Sequence, residues 1–184
     1  FKSVLEGQTG VITEAEISPV QELDTLEKLH ALGEPAREGM KILDKLVVVR
    51  LNGGLGTTMG LERAKSLLTV KGEYSFNDIL ALQLRELGRL TGVSIPLIHM
   101  TSFSTDADVR EAMRSYADLN SLKLPTSFLQ HRHPKIYADT FLPASEGQED
   151  LNWNPPGHGD IYAALLATGL AEHLLSIGKR YLFV

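Results

Sequence analysis

The run Leu46-Val-Val-Val-Arg-Leu51 passes directly into Asn52-Gly-Gly-Leu-Gly-Thr-Thr-Met-Gly60. This junction constrains the fold more than any other part of the chain. The first half is short and rich in β-branched residues, so it reads as a strand. The second half places four glycines within residues 53–60. Glycine loses more conformational entropy on ordering than any other residue, so packing alone does not explain such a run. A glycine loop at a strand end lets backbone approach a ligand closely, and its N–H groups can form an anion-binding concavity. An ordinary turn is the alternative, and the position at a strand end weighs against it.

Beyond this loop, short apolar runs alternate with helical patterns. Strands are expected over 46–51, 95–100, 127–130 and 181–184, and helices over 76–90, 105–119 and 160–177. The first helix carries Ile79, Leu80, Leu84, Leu87 and Leu90 near one face, and Gly178 ends the third. Alternation of this kind predicts an α/β fold, with a mostly parallel Rossmann-like sheet flanked by helices. Ligands of such sheets bind at the carboxyl ends of the strands, where the glycine loop lies. Residues 1–45 differ in texture and read as an N-terminal helical extension, leaving 46–184 as the main domain. Ser18-Pro19-Val20-Gln21 has the features of a helix start. Val20, Leu23, Leu26, Leu29 and Leu32 then form an apolar stripe that Gly33 stops and Glu34-Pro35 breaks.

Composition excludes several classes. Over 184 residues, 43% hydrophobic and 22% charged content is that of a globular chain. Eighteen Lys+Arg against 23 Asp+Glu give a net charge of -5, which does not suit broad capture of nucleic acid. No apolar run is long enough to span a membrane, and no basic-then-apolar start marks a signal peptide. The absence of cysteine rules out disulfides and cysteine-ligated metal sites, and is compatible with a cytoplasmic location. The chain opens at Phe1 and stops at Val184 inside a strand pattern, so a piece of a longer protein is expected.

Two familiar phosphate loops fail against residues 51–60. The P-loop requires a terminal Gly-Lys-Ser/Thr that no register supplies. The dinucleotide fingerprint is met by Gly54 and Gly56, but the third glycine comes late, at Gly60. The segment behind it, with Leu67-Leu-Thr-Val70 and Lys71-Gly72, reads as extended chain and not as a long helix. A dinucleotide-binding module of an oxidoreductase would also want an acid about 20 residues on, at the end of a second strand. Glu73 instead precedes a helix. What remains is a long glycine loop followed by Lys65, a point charge suited to a polyphosphate. Arg63 reads as solvated.

These residues resemble a known family. Leu51 to Gly60 with Lys65-Ser66 is similar to the nucleotide-binding signature of the UTP–glucose-1-phosphate uridylyltransferases (UDP-glucose pyrophosphorylases). Phe128-Leu-Gln-His-Arg-His-Pro-Lys-Ile136 and Pro155-Pro-Gly-His-Gly-Asp-Ile-Tyr162 fit the same family, as does Met100-Thr-Ser-Phe-Ser-Thr-Asp106. The resemblance covers roughly residues 45–184 and implies a nucleotidyltransferase-type domain, incomplete at its C-terminal end. It implies contacts from Leu51, Asn52, Gly53 and Gly54 to nucleotide and substrate, with Lys65 as the catalytic cation at the phosphates. Gln130 falls at the uracil-reading position; a side-chain amide offers a donor and an acceptor, which matches uracil and mismatches cytosine. Gly157 falls against the base and His158 at the sugar phosphate. His158 also precedes the expected helix from Asp160, where free N–H groups favour an anion.

Other polar residues receive plainer readings. Asp160 reads as a helix-start residue. His131 and His133 lack an evident third ligand, read as surface charge, and depart from the family pattern. His30, His99 and His173 read as structural. Trp153 could stack on a base or sugar, or anchor a loop.

The implied reaction joins UTP to glucose 1-phosphate, giving UDP-glucose and pyrophosphate. The sugar phosphate is already anionic, so no protein general base is required, and in-line positioning and charge neutralisation remain. The resemblance also implies Mg2+, whose aspartate ligand is expected beyond Val184, so no residue here is assigned to metal. The 184 residues alone are therefore expected to be inactive as a transferase. A pyrophosphorylase for another sugar 1-phosphate is the nearest alternative.

Overall fold

Val47, Val48 and Val49 are buried in an inner strand of a four-stranded sheet. They belong to a computed structural model that describes all residues except 1, 9, 56–62, 121, 146 and 148. The chain divides into two units, residues 1–40 and 41–184.

The first unit contains α1 (Lys2–Leu5), α2 (Leu26–Leu32) and most of α3 (Glu34–Lys41). The helix expected from Ser18 starts instead after Thr25, whose side chain accepts a hydrogen bond from Lys28 N at 3.3 Å. Asp24 and Thr25 favour such local bonds over helix continuation, so the apolar stripe becomes helical only in its second half. Gly33 ends α2 at φ 61, as its left-handed conformation requires. Glu34-Pro35 does not break the chain into a loop. Pro35 falls in the first turn of α3, where its missing N–H costs nothing.

The second unit follows the order β1 (Leu46–Asn52), β2 (Thr69–Lys71), β3 (Tyr74–Ser75), α4 (Phe76–Thr91), β4 (Leu97–Thr101), α5 (Asp106–Met113) and β5 (Ser127–Leu129). It continues with β6 (His133–Pro134), β7 (Trp153–Asn154), α6 (Ile161–Ala167), α7 (Leu170–Ser176) and β8 (Tyr181–Phe183). The main sheet has the order β5-β4-β1-β8, and its neighbouring strands are all parallel. Alternate residues of β1 face opposite layers. Val47 and Val49 pack with Ile98, Met100 and Phe128 against Ile161, Leu165 and Leu174 of α6 and α7. Val48 packs with Leu97 against Ala81 and Leu84 of α4 and Val109 of α5. The α/β class, the parallel sheet and the flanking helices are as expected.

Several boundaries differ for identifiable reasons. Pro96 has no N–H for the ladder, so β4 begins at Leu97, while Pro96 O still accepts from Val48 N at 3.0 Å. The helix expected over 105–119 is α-helical only to Met113 and then tightens into a 3-10 turn, Arg114–Asn120, kinked at Tyr116. There the Tyr116 hydroxyl donates to Asp78 Oδ1 at 2.8 Å, so docking onto α4 outweighs helix continuation. The single helix expected over 160–177 is two, because Gly169 at φ 69 separates α6 from α7. The small β2–β3 and β6–β7 pairs were not anticipated.

Helix α4 carries a complete cap. Ser75 Oγ accepts from Asp78 N at 3.2 Å, and the Asp78 carboxylate accepts from Ser75 N at 2.7 Å. Phe76 follows directly, so this cap sets the base of the cavity described next.

Candidate functional site

Asn52, the last residue of β1, is held through its side-chain amide nitrogen and its backbone carbonyl. Its Nδ2 lies 2.7 Å from His99 Nδ1 and donates to Asn77 Oδ1 at 3.4 Å. Its backbone carbonyl accepts from Thr105 Oγ1 at 2.6 Å. Since Nδ2 donates, His99 Nδ1 must accept, which puts the ring proton on Nε2. Burial, with the neighbouring Arg50 charge adding to it, pushes the His99 imidazole down to about 3. A neutral histidine is therefore part of how the strand end is built, and the structural reading of His99 acquires a definite partner.

Gly53 comes next, and Gln130 crosses over it. A Cβ built on Gly53 would overlap Gln130 Nε2 and stand 2.9 Å from its Cδ. Gln130 lies just past β5, where its N–H donates to Thr101 O at 2.9 Å and prolongs the ladder. Its side chain is buried, and Oε1 has no hydrogen-bond partner among the described residues. A buried amide oxygen without a partner is costly unless something else meets it.

Gly54 is exposed, with open space where a Cβ would stand. Gly56, Gly60 and the rest of 56–62 lie outside the described residues. The two ends of this loop meet in an antiparallel bridge between Leu55 and Ala64. Lys65 follows, opening a short 3-10 turn, with its side chain exposed.

A cavity of about 400 Å3 opens at this strand end. Lys65, Asn52, Gly54 and His158 line it, together with Arg50 and Phe76. Leu51 also borders it, although its side chain packs partly against the core. A second cavity of about 340 Å3 lies on the other side of the glycine turn. Gly53 and Gly54 border it with Ser102, Phe103, Lys135 and Trp153. Gly54 thus borders both, which suits a backbone hinge point with no side chain. Gln130 and Gly157 are not among the residues lining the first cavity.

The segment before α6 approaches the same end of the sheet. Gly157 has φ 112 and ψ -176, a conformation nearly closed to other residues. His158 opens a 3-10 turn, not the helix itself, since α6 begins at Ile161. Asp160 stands at the helix start, but its carboxylate makes no capping bond. It accepts instead from His131 N at 2.7 Å and lies 2.9 Å from His131 Nδ1. That link ties the residue after Gln130 to the segment carrying Gly157 and His158. His131 is therefore a paired residue and not simple surface charge.

The remaining polar residues are placed as follows. Arg63 Nε donates to Asp108 Oδ2 at 3.3 Å in an exposed pair. The Arg132 guanidinium lies 4.4 Å from the Trp153 ring centroid, and Trp153 pairs with Pro134, so this indole anchors a loop while bordering the second cavity. His133 occupies the same small sheet, opposite Asn154. Arg50, His99 and Thr105 were not picked out as site residues from the sequence. Arg50 carried a usable signal, a charge inside a β-branched run; His99 and Thr105 carried none, because their partner is Asn52, far away in the chain.

Comparison with known proteins places this geometry. The family model described as UTP–glucose-1-phosphate uridylyltransferase matches residues 1–184. The chain belongs to this uridylyltransferase family. A uridylyltransferase of that name from Hordeum vulgare is 43% identical over 145 residues, covering 78% of this chain and 30% of that protein. One from Solanum tuberosum is 40% identical over 160 residues, covering 86% and 33%. The chain thus spans about a third of the length of these curated relatives. A UDP-glucose phosphorylase from Trypanosoma brucei superposes with a TM-score of 0.81 at 38% identity, over 98% of this chain and 36% of that one. A variant of the UDP-glucose pyrophosphorylase from Leishmania major, solved in complex with UDP-glucose, superposes with a TM-score of 0.81 at 34% identity, over 98% and 37%. Uridylyltransferase membership displaces the oxidoreductase alternative. The fold agrees, since the chain after the glycine loop forms the β2–β3 hairpin, with Glu73 in its turn, where a dinucleotide fold would open a helix.

Among the described residues, no helix is long and apolar enough to cross a membrane.

Proposed function

We propose that this chain forms the nucleotide-binding part of an enzyme that transfers a uridylyl group from UTP to glucose 1-phosphate. The observation that carries the proposal is the convergence of Lys65 and His158 on one cavity at the carboxyl end of β1. Two side chains able to carry positive charge, the Asn52 amide and the open backbone of Gly54 suit a polyphosphate. The crossing of Gln130 over Gly53 suits a base held beside the turn, with Gln130 Oε1 as the acceptor for uracil N3–H.

In the reaction, an oxygen of the sugar phosphate forms a bond to the α-phosphorus of UTP. The bond from that phosphorus to the bridging oxygen breaks, and pyrophosphate leaves with the electron pair. No proton is transferred, so the protein's part is orientation and neutralisation of charge. Leu51, Asn52, Gly53 and Gly54 shape the nucleotide seat. Lys65 faces the phosphates, Gly157 supports the base side, and His158 meets the sugar phosphate. Mg2+ supplies further neutralisation of phosphate charge when bound. Among the described residues, the cavity lining contains no carboxylate and no three His, Asp or Glu side chains gather as a metal site. The described residues therefore do not fit the ion by themselves. Carbohydrate metabolism and a cytoplasmic location belong with this reading.

Thermal melting of the chain tests the proposal. UTP should raise the melting temperature more than CTP or NAD does, and Lys65→Ala and Gln130→Ala should blunt the shift. Equal shifts from UTP and CTP would remove Gln130 as the base reader.

A further inference from the structure

Arg50 occupies a position where charge is unexpected. It lies in β1, an inner strand of a parallel sheet, between Val48 and Asn52 on the face toward α4. Inner strands of parallel sheets are covered on both faces and are normally apolar throughout. Arginine cannot escape the cost by losing its proton under ordinary conditions. Burial nonetheless draws the Arg50 guanidinium below its usual range, the mark of a cation incompletely hydrated.

Among the described residues, no protein group offsets this charge. The Arg50 side chain makes neither a hydrogen bond nor an ion pair with them. Its neighbour across the strands is His99, which is neutral and engaged with Asn52. The Asp78 carboxylate at the α4 cap is occupied by Ser75 and Tyr116. What Arg50 does face is the cavity shared by Lys65 and His158.

We propose that Arg50 is a phosphate-binding residue of this cavity, holding an oxyanion together with Lys65. The guanidinium offers a planar fork of donors that matches two phosphate oxygens, whereas Lys65 supplies a point charge. An anion seated there provides the countercharge that the described residues do not. The inference rests on reading the cavity as a phosphate site, and adds a ligand-contacting residue that the motif does not contain.

Calorimetric titration of the chain with UTP, inorganic pyrophosphate, glucose 1-phosphate and uridine tests it, in wild type, Arg50→Met and Arg50→Lys. Losing a charged hydrogen bond to phosphate should weaken binding about tenfold to a hundredfold in Arg50→Met. Arg50→Lys should recover part of that loss, and uridine should bind all three proteins alike. A loss confined to UTP and pyrophosphate puts Arg50 at the leaving group; one confined to glucose 1-phosphate puts it at the acceptor. Ligand-free Arg50→Met should melt no lower than wild type, because it removes an unpaired charge. Unchanged phosphate affinities in Arg50→Met overturn the proposal. So does a matching loss of uridine binding, which would mean a structural role. If Arg50→Met does not fold, the proposal also falls, since an unpaired, half-buried charge should be dispensable to the fold. A wild type that binds pyrophosphate but treats UTP and CTP alike would sink the uridylyl reading and leave Arg50 intact.

Discussion

The side chain of Gln130 lies across the α-carbon of Gly53, close enough that any Cβ there would collide with its amide. Gly53 follows β1 directly, and Gln130 follows β5. Each therefore determines what the other can be. Gly53 is needed here less for backbone freedom than for the room it leaves a particular amide.

Gly53→Ala should displace Gln130 before it unfolds anything. Overpacking of this kind costs about 1–3 kcal/mol. The more specific outcome is a loss of preference for UTP over CTP, measured by titration, that matches the loss in Gln130→Ala. A variant that keeps the full preference would show that Gln130 acts from some other position.

His99 makes stability depend on acid. Its folded pKa, about 3, lies below its ordinary 6.5, so folding favours the neutral ring. This contribution is fully present above pH 6.5 and is lost as pH falls from there toward 3. The loss is on the order of 4 kcal/mol across that window. His99→Gln, which cannot titrate, should show a flatter stability profile in urea denaturation between these pH values. Parallel profiles for the two proteins would refute the assignment.

The His131–Asp160 pair should behave asymmetrically. Asp160→Ala removes the bond to the His131 backbone, at about 0.5–1.5 kcal/mol, and with it the contact to the ring. His131→Ala leaves the backbone bond in place and removes only a half-exposed ring contact, which counts for less. Denaturant titration should therefore rank Asp160→Ala below His131→Ala in stability. Equal losses would mean that the ring carries the whole link.

Gly157→Ala isolates backbone strain. There is open space for the new methyl, but φ 112 with ψ -176 is a region essentially reserved for glycine. A cost of about 1–3 kcal/mol is expected, with a weaker response to UTP because His158 is re-aimed. A variant as stable as wild type and equally responsive to UTP would contradict this.

Much of the architecture was legible in short stretches of sequence. The β-branched run of β1, the apolar face of α4 and the glycine that stops α2 act within a few residues, and local chemistry suffices for them. Boundaries failed where a distant partner or a second local signal prevailed. Tyr116 bends its helix to reach Asp78, Gly169 divides what periodicity joined, and Thr25 starts a helix that Ser18 seemed to announce.

The sequence by itself determined a parallel α/β sheet with a glycine loop at the end of its first strand. It also marked Lys65, Gln130 and His158 as the polar residues to follow, through their resemblance to the family. Only the tertiary structure decided that Gln130 rests on Gly53, that His99 grips Asn52, and that Arg50 shares a cavity with Lys65 and His158. The reason is physical. Strand and turn preferences are set by neighbours along the chain, whereas these contacts join different strands and loops, and exist only once the sheet's register is set.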